Sequence, residues 1–335
     1  MSEIIIQNLL SPVVLFFVLG IMAALVKSDL KIPSGLSEGL SIYLLIAIGL
    51  KGGIELSQYS IEDVIQPIIG ALILGSIIPF ITLFITRLMK MDLKNSIGLA
   101  ATFGSVSIVT YGAAISFIEK NGVPYEGFMN ALVVIMESPA ILVSLLLLKV
   151  LENKKNESAM TIRNVGFVSG SARLFDKEVL RESLFGKSVL LLLGSLIIGL
   201  ILGDRAVPMV KPLFMDLYSS VLILFLLSMG ITTGQRLPEV KKHGLKLLLF
   251  GMFTPILFGA LGVLTGHLAG LSLGGITLMG VLAGSASYIA APAALKTSVP
   301  EANPSIYLGL ALGITFPFNL IIGIPVYYEM AKWIQ

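Results

Sequence analysis

Residues 104–107 read Gly104-Ser105-Val106-Ser107, and a related run, Gly284-Ser285-Ala286-Ser287, follows 180 positions later. Each run lies inside an apolar stretch long enough to cross a membrane, where a continuous spanning helix would favour leucine and isoleucine. Thr110 follows the first run and Pro292 follows the second. Small and hydroxylic residues at that depth predict a helix that is interrupted. The two runs therefore predict two broken helices that meet at one site.

The overall composition excludes a soluble protein of this size. Of the 335 residues, 56% are hydrophobic and only 13% are charged, and the mean hydropathy is +0.94. These values predict a polytopic membrane protein. The chain has no cysteine, which excludes a disulfide framework, a thiolate metal site and a cysteine nucleophile. The net charge of +3 is spread over the loops, so it does not indicate nucleic-acid binding.

Apolar stretches of membrane-crossing length predict an all-α protein with ten transmembrane helices. The predicted spans are 9–26, 36–50, 64–88, 96–118, 128–150, 188–202, 213–231, 245–268, 274–295 and 305–331. The interruptions described above fall in the fourth and ninth of them. One long polar segment, 151–187, separates the first five spans from the last five.

An internal repeat supports this division. Gly49 and Gly53, near the end of the second span, match Gly230 and Gly234 in the seventh at an offset of 181, and Pro139 matches Pro317 at an offset of 178. We therefore expect a first five-helix repeat at 1–150, a cytoplasmic loop at 151–187 and a second five-helix repeat at 188–335. Because five is odd, the second repeat must be inverted in the membrane. Inverted repeats with interrupted helices are typical of secondary transporters.

Lysine and arginine are distributed unequally between the two sides of the predicted bundle. Of the 23 lysine and arginine residues, all but five lie in or near the loops that follow odd-numbered spans. The five on the opposite side, which also carries both termini, are Lys51, Lys120, Arg205, Lys211 and Lys332. Because cytoplasmic loops carry an excess of basic residues, the sequence predicts a multi-pass protein of the cell membrane with both termini outside.

The broken helices predict an anion site. Freed backbone N–H groups at a half-helix carry partial positive charge and suit an anion, whereas freed carbonyl oxygens suit a cation such as sodium. Hydroxyls both donate and accept hydrogen bonds, which fits a small oxyanion that carries an O–H group. The candidate substrate-binding residues are Gly104, Ser105, Ser107, Thr110, Ser285 and Ser287. The alternative is that these small residues only allow close helix packing; recurrence of both clusters in register favours the site.

Glu137 is the clearest ionisable residue inside an apolar stretch. A carboxylate in the bilayer costs at least about 2.5 kcal/mol, so it is a functional candidate. It could ligate sodium, carry a proton or make a hydrogen bond between helices, and we favour sodium or a supporting role. The matching region of the second repeat offers Thr315 and Asn319 as further sodium ligands. No catalytic motif is present in the sequence, so we predict that the chain is not an enzyme and has no cofactor, with sodium as coupling ion.

Several motifs in order resemble the sodium-dependent bicarbonate transporter family over nearly the whole chain. They are Gly49-Leu50-Lys51-Gly52-Gly53, Phe103-Gly104 with Val106-Ser107 and Thr110, Tyr125-Glu126, an acidic residue followed by Pro139-Ala140, Met229-Gly230, and Ala302-Asn303-Pro304-Ser305 with Tyr307. The resemblance implies ten spans in two inverted repeats, a homotrimer, sodium-coupled bicarbonate uptake and control by a PII-like regulatory protein. It also carries Ser107, Thr110, Ser285 and Ser287 over as anion-site candidates, with Glu137 at the acidic position.

The chain departs from the family pattern close to these residues. Ile108-Val109 replaces a Gly-Ser pair, Ser285-Ala286-Ser287-Tyr288 replaces a Ser-Ser-Ser-Asp run, and Leu310-Ala311-Leu312 replaces a polar stretch. These differences predict a less polar cavity. The sequence therefore favours a symporter that imports a small anion, most simply bicarbonate, by alternating access in contact with membrane lipid. The alternatives are a sodium-coupled organic carboxylate symporter and a non-transporting membrane sensor or scaffold.

Overall fold

The structure, a computed structural model, describes residues 2–160, 186–241 and 244–335, and these residues are helical with no β-strand among them. Residues 2–160 contain α1 (Ser2–Leu9), α2 (Pro12–Leu25), α3 (Ser34–Leu56), α4 (Ile61–Leu88), α5 (Leu93–Gly104), α6 (Ile108–Lys120) and α7 (Met129–Met160). The rest contains α8 (Lys187–Leu202), α9 (Tyr218–Lys241), α10 (Leu245–Leu268), α11 (Leu273–Gly284), α12 (Ala290–Ser298) and α13 (Pro304–Ile334). Most of the predicted loop 151–187 lies outside the described residues, but α7 continues through its first ten positions.

Seven helical stretches within the described residues are long and apolar enough to cross a membrane. One of them, Lys187–Pro238, contains two predicted spans, joined by the short helical turns of Gly203–Ala206, Val207–Val210 and Lys211–Asp216. Two shorter apolar helices, α2 and α11, lie where the first and ninth spans are predicted. The structure thus confirms the all-α membrane class. The count of ten spans and the inversion of the repeat stay predictions.

Several helices begin at capping residues. Asp92 accepts a hydrogen bond from Asn95 N–H at the start of α5, and Ser272 accepts one from Gly275 N–H at the start of α11. The carboxylate of Glu126 in turn accepts a hydrogen bond from the Ser272 backbone. Side chains that accept from the first free N–H groups of a helix stabilise its start by about 1 kcal/mol. The two half-helices that enter the centre of the protein are therefore fixed at their outer ends.

Two pairs of helices pack backbone to backbone through the glycines of the sequence repeat. In one pair, a side chain at Gly49 or Gly53 of α3 would collide with carbonyl oxygens of α8. In the other, a side chain at Gly230 of α9 would collide with the Phe17 carbonyl of α2, and Gly234 contacts the same helix. Glycines four residues apart let membrane helices approach this closely. The matched glycines thus serve the same purpose in both halves of the chain.

The broken helices lie at the centre of the protein. In the candidate span Leu93–Lys120, which comprises α5 and α6, 94% of the most apolar window is buried. By contrast, α4 and α10 expose faces of large apolar side chains that a lipid bilayer would cover. On α4 these exposed side chains include Ile69, Ile73, Phe80 and Phe84, and on α10 they include Leu249, Phe253, Leu257 and Leu264.

Candidate functional site

The first interruption separates α5 from α6. Helix α5 ends at Gly104, and α6 begins after Ser107, whose hydroxyl oxygen accepts a hydrogen bond from Thr110 N–H at 3.2 Å. Thr110 Oγ1 also donates to Ser107 Oγ at 2.8 Å. Gly104 packs against Pro79 of α4, where a Cβ atom would lie 2.6 Å from the proline ring. The break is thus built from a helix cap on one side and close packing on the other.

The second interruption separates α11 from α12. Helix α11 ends at Gly284 and α12 begins at Ala290. Ser285 Oγ donates to Leu282 O at 3.0 Å, which satisfies a free carbonyl of the preceding turn. Ser287 Oγ accepts a hydrogen bond from Ala291 N–H at 3.2 Å in the first turn of α12. Ser285 and Ser287 therefore each form a hydrogen bond with a backbone group beside the second break.

The two interruptions contact each other directly. The backbone N–H of Ser107 donates to Ser285 Oγ at 2.9 Å, and the N–H of Ser287 donates to Thr102 O at 2.8 Å. All of these groups are buried. The hydrogen bonds run in opposite directions between the two breaks, so neither break can move without the other. The predicted meeting of the broken helices at one place is present in the structure.

Glu137 reaches the same place from α7. It is 2% exposed and lines a small pocket with Ser107 and Ser287. The remaining lining residues are Val106, Ile108, Tyr288 and Ile289. The pocket measures about 10 Å³, which is close to the smallest space that holds one water molecule. One carboxylate and three hydroxyl-bearing residues thus line a common, nearly closed space, which we name the inner pocket.

Several buried polar atoms around the breaks make no hydrogen bond to any residue that the structure describes. They are Glu137 Oε2, Tyr288 OH, Ser105 Oγ and Thr102 Oγ1. An unpaired buried polar group costs about 1–3 kcal/mol, and more when it is charged. Buried groups without a protein partner commonly bind water or an ion. These unpaired groups are therefore candidates for contact with a polar or charged ligand.

The predicted sodium ligands of the second repeat lie near the end of α11 and do not line the inner pocket. Asn319 Nδ2 donates to Gly284 O at 2.8 Å, while its Oδ1 lies 2.7 Å from the hydroxyl of Tyr327. Thr315 Oγ1 donates to Gly251 O of α10 at 2.8 Å. Both residues fall in π-helical turns of α13, Ala311–Thr315 and Asn319–Gly323. Such turns often mark functional positions in helices.

A larger cavity opens next to the inner pocket. It measures about 530 Å³ and shares Tyr288 and Ile289 with the pocket. Its other lining residues include the hydroxylic side chains Ser34, Ser37, Ser41, Ser188, Ser228 and Thr232, with an ion pair of Lys187 and Glu38 at the rim. We name this cavity the vestibule. Its lining residues Ser34 and Lys187 lie at the amino-terminal ends of α3 and α8.

Sequence reasoning noted Tyr288 as a departure from the family pattern but did not place it in the site. It also missed Tyr327, whose hydroxyl lies within hydrogen-bond distance of Asn319 Oδ1 and of Pro255 O. Tyr288 directly follows Ser287, so its position beside the second break was a usable signal. No motif in the sequence pointed to Tyr327, and its contact with Pro255 O joins positions 72 residues apart.

Comparison with known proteins tests the family resemblance noted in the sequence. A search among proteins of curated function finds no match. The family described as the Na⁺-dependent bicarbonate transporter superfamily matches residues 12–332. The match covers both interruptions, Glu137 and the vestibule, and it confirms the resemblance noted in the sequence. This chain therefore belongs to the Na⁺-dependent bicarbonate transporter superfamily.

Proposed function

We propose that this protein is a sodium-coupled symporter that imports bicarbonate by alternating access. The observation that carries the proposal is the meeting of two interrupted helices beside a buried carboxylate, with unpaired hydroxyl and carboxylate oxygens around one pocket. Irregular backbone within a membrane is tolerated where it is buried in protein or lines a cavity. Transporters use such breaks to bind a substrate and its coupling ion together.

The proposal includes ten spans in two inverted repeats. Two structural features support it. The glycines matched in the sequence mediate the contact of α3 with α8 and of α9 with α2, which are corresponding helix pairs if the repeats are inverted. The half-helices α5 and α11 also begin at caps, Asp92 and Ser272, that are 180 positions apart.

In the proposed mechanism, Ser107 and Ser287 donate hydrogen bonds to the bound anion, since both line the inner pocket. Ser285 Oγ positions Ser107 by accepting a hydrogen bond from the Ser107 backbone N–H. Thr110 Oγ1 positions it by donating a hydrogen bond to the Ser107 hydroxyl. Ser105 adds a buried hydroxyl that no described residue binds. A hydrogen bond to a charged partner contributes about 1.5–3 kcal/mol, so a few of them suffice to select a small anion.

Glu137 is the proposed sodium ligand because its carboxylate faces the same pocket and Oε2 has no described hydrogen-bond partner. Sodium beside a carboxylate neutralises a charge that is otherwise expensive in the bilayer. Asn319 and Thr315 lie on α13, away from the inner pocket. Asn319 donates a hydrogen bond to Gly284 O and so holds the carboxyl end of α11. Binding of the ion at this end fixes the second break in the form that receives the anion.

Alternating access requires that one face opens while the other closes. The vestibule opens on the basic side, which the positive-inside rule makes cytoplasmic. On the opposite side, Asn130 Nδ2 donates to Glu55 Oε2 at 2.9 Å, and Lys51 Nζ donates to the Tyr125 hydroxyl at 3.3 Å. These bonds join α3 to the start of α7 and to the segment that precedes it. They hold the outer side together in this inward-open conformation.

The test is uptake of labelled bicarbonate into proteoliposomes that contain the purified protein. We expect accumulation with an inward sodium gradient and none when potassium replaces sodium. Ser107→Ala and Ser287→Ala should each raise the KM for bicarbonate about tenfold or more, because each removes a hydrogen bond to a charged ligand. Ser144→Ala is the matched control, since that buried hydroxyl donates only to Ala140 O in its own helix.

A folded protein that accumulates no bicarbonate in either salt would contradict the proposal. The same preparation then separates the two alternatives. Sodium-driven uptake of an organic carboxylate would indicate a carboxylate symporter, and absence of any ion-dependent flux would favour a membrane sensor or scaffold. The homotrimer and the PII-like regulatory protein stay predictions from the family resemblance.

A further inference from the structure

We propose that Tyr288 is the gate between the vestibule and the inner pocket, and that its side chain sets the size of the anion that enters. Tyr288 and Ile289 are the two described residues that line both cavities. Everything that moves from one cavity to the other therefore passes these two side chains. The selection of anion size rests on the proposed function, whereas the position of the gate does not.

The inner pocket is too small for the anion in this conformation. Its volume of about 10 Å³ corresponds to one water molecule, and bicarbonate has four non-hydrogen atoms. The vestibule, at about 530 Å³, holds such an anion easily. A wall of the inner pocket must therefore move before the anion reaches Ser107, Ser287 and Glu137.

The tyrosine side chain is the wall that is free to move. The backbone on both sides of the pocket is fixed by the hydrogen bonds that Ser107 and Ser287 donate between the two breaks. Tyr288 OH, in contrast, lies close to Ser107 but makes no hydrogen bond of normal geometry to a described residue. At most the one weak polar contact with Ser107 therefore breaks when the ring rotates.

Aromatic packing helps to hold the ring of Tyr288 in the closed position. It contacts the ring of Phe316 edge to face, with centroids 5.4 Å apart, and Phe316 in turn contacts Phe17 at 5.0 Å. An aromatic pair of this kind is worth about 0.5–1.5 kcal/mol beyond its buried area. Such a contact closes the pocket most of the time but does not lock it. When the ring turns outward, its unpaired hydroxyl meets the arriving anion.

The gate is tested by the chemical accessibility of a single cysteine, since the chain has none of its own. Val106→Cys places a thiol in the inner pocket, and Ser228→Cys places one in the vestibule. Each thiol is reacted with a small methanethiosulfonate and followed by intact-protein mass spectrometry. With Tyr288 present, we expect fast reaction at position 228 and slow reaction at position 106. If the gate is open no more than about a tenth of the time, Tyr288→Ala raises the rate at position 106 at least about tenfold.

Two variants control this experiment. Tyr288→Phe keeps the ring and removes the hydroxyl, so the thiol at position 106 should stay slow. Ile289→Ala is the matched truncation, because Ile289 lines the same two cavities, and it should leave the rate nearly unchanged. Each variant must keep the elution volume and melting temperature of its parent. Equal rates at position 106 with and without Tyr288, or opening by Ile289→Ala instead, would overturn the assignment.

Size selection is then tested by competition. In proteoliposomes with Tyr288, excess formate should inhibit bicarbonate uptake and butyrate should not, whereas with Tyr288→Ala butyrate should inhibit as well. An unchanged butyrate profile would disprove the selection of size. Failure of the wild-type protein to take up bicarbonate would instead contradict the proposed function, and the labelling result would still decide whether Tyr288 is the gate.

Discussion

At the scale of single residues, Glu137 places a buried carboxylate among apolar side chains. We propose that this carboxylate binds the coupling ion, sodium. We expect sodium to raise the melting temperature of the wild-type protein in detergent, because a ligand that binds only the folded state stabilises it by about 2.7 kcal/mol at a hundredfold excess over its Kd. Glu137→Gln keeps the shape and removes the charge. This variant should lose the sodium-dependent stabilisation together with sodium-driven uptake.

Glu152→Gln provides the comparison for Glu137→Gln. Glu152 lies on the same helix, but its carboxylate is 40% exposed and pairs with Lys94 at 2.5 Å, and exposed pairs contribute little. Its sodium response should match that of the wild-type protein. A normal sodium response in Glu137→Gln would exclude Glu137 as the ligand.

Asn319 connects α13 to the end of α11 by a hydrogen bond to Gly284 O. Its replacement tests how much this contact contributes to stability. Asn319→Leu leaves Gly284 O and the Tyr327 hydroxyl without the amide partner. We expect a loss of stability of about 1–3 kcal/mol, the cost of unpaired buried polar groups. Thermal unfolding in detergent measures it. Tyr327→Phe removes one contact of the same network and should cost less; an equal or larger loss would show that Asn319 is not the main connection.

At the scale of the helices, the glycine contacts define which parts move as one body. Gly230→Ala would push a methyl group into the Phe17 carbonyl of α2. Overpacking of this kind costs about 1–3 kcal/mol, so the melting temperature should fall. Gly194→Ala on α8 is the control, because nothing lies within 4 Å of its Cβ position. If both variants melt alike, the contact between α2 and α9 is looser than the structure indicates.

The helix interruptions were predictable from sequence because glycine and serine have no reason to recur in register inside apolar stretches. The same pattern does not show that Ser107 N–H binds Ser285 Oγ, since that bond joins positions 178 residues apart. The π-helical turns around Thr315 and Asn319 were equally hidden, because they depend on packing against α10 and α11. Local composition thus located the breaks, and long-range hydrogen bonds determined how the breaks fit together.

At the scale of the whole molecule, the proposed alternating access requires that the start of α7 and the segment before it separate from α3 on the proposed outer side. Burial, together with the Glu119 carboxylate, raises the pKa of Tyr125, so its hydroxyl stays protonated and donates to Glu119 at 3.2 Å.

A disulfide across this side should stop transport. Cβ atoms at positions 55 and 127 would lie 2.9 Å apart, slightly closer than the ~3.8 Å of a disulfide.

The variant Glu55→Cys with Gly127→Cys should therefore lose uptake on oxidation and regain it on reduction. Each single-cysteine variant serves as control, because neither can form the bond within one chain. Oxidised protein that still transports would show that this side does not open during the cycle.

Helix α7 runs for 32 residues, from Met129 to Met160, which at 1.5 Å per residue is about 48 Å. The hydrocarbon core of a bilayer is about 30 Å thick, so roughly the last third of the helix stands in water on the predicted cytoplasmic side. Pro139 interrupts the hydrogen bonds of the helix two residues after Glu137 and allows it to bend there. A bend at Pro139 would couple the free end of the helix to the proposed ion site at Glu137, so a fluorophore on that end would report on the proposed site from outside the membrane.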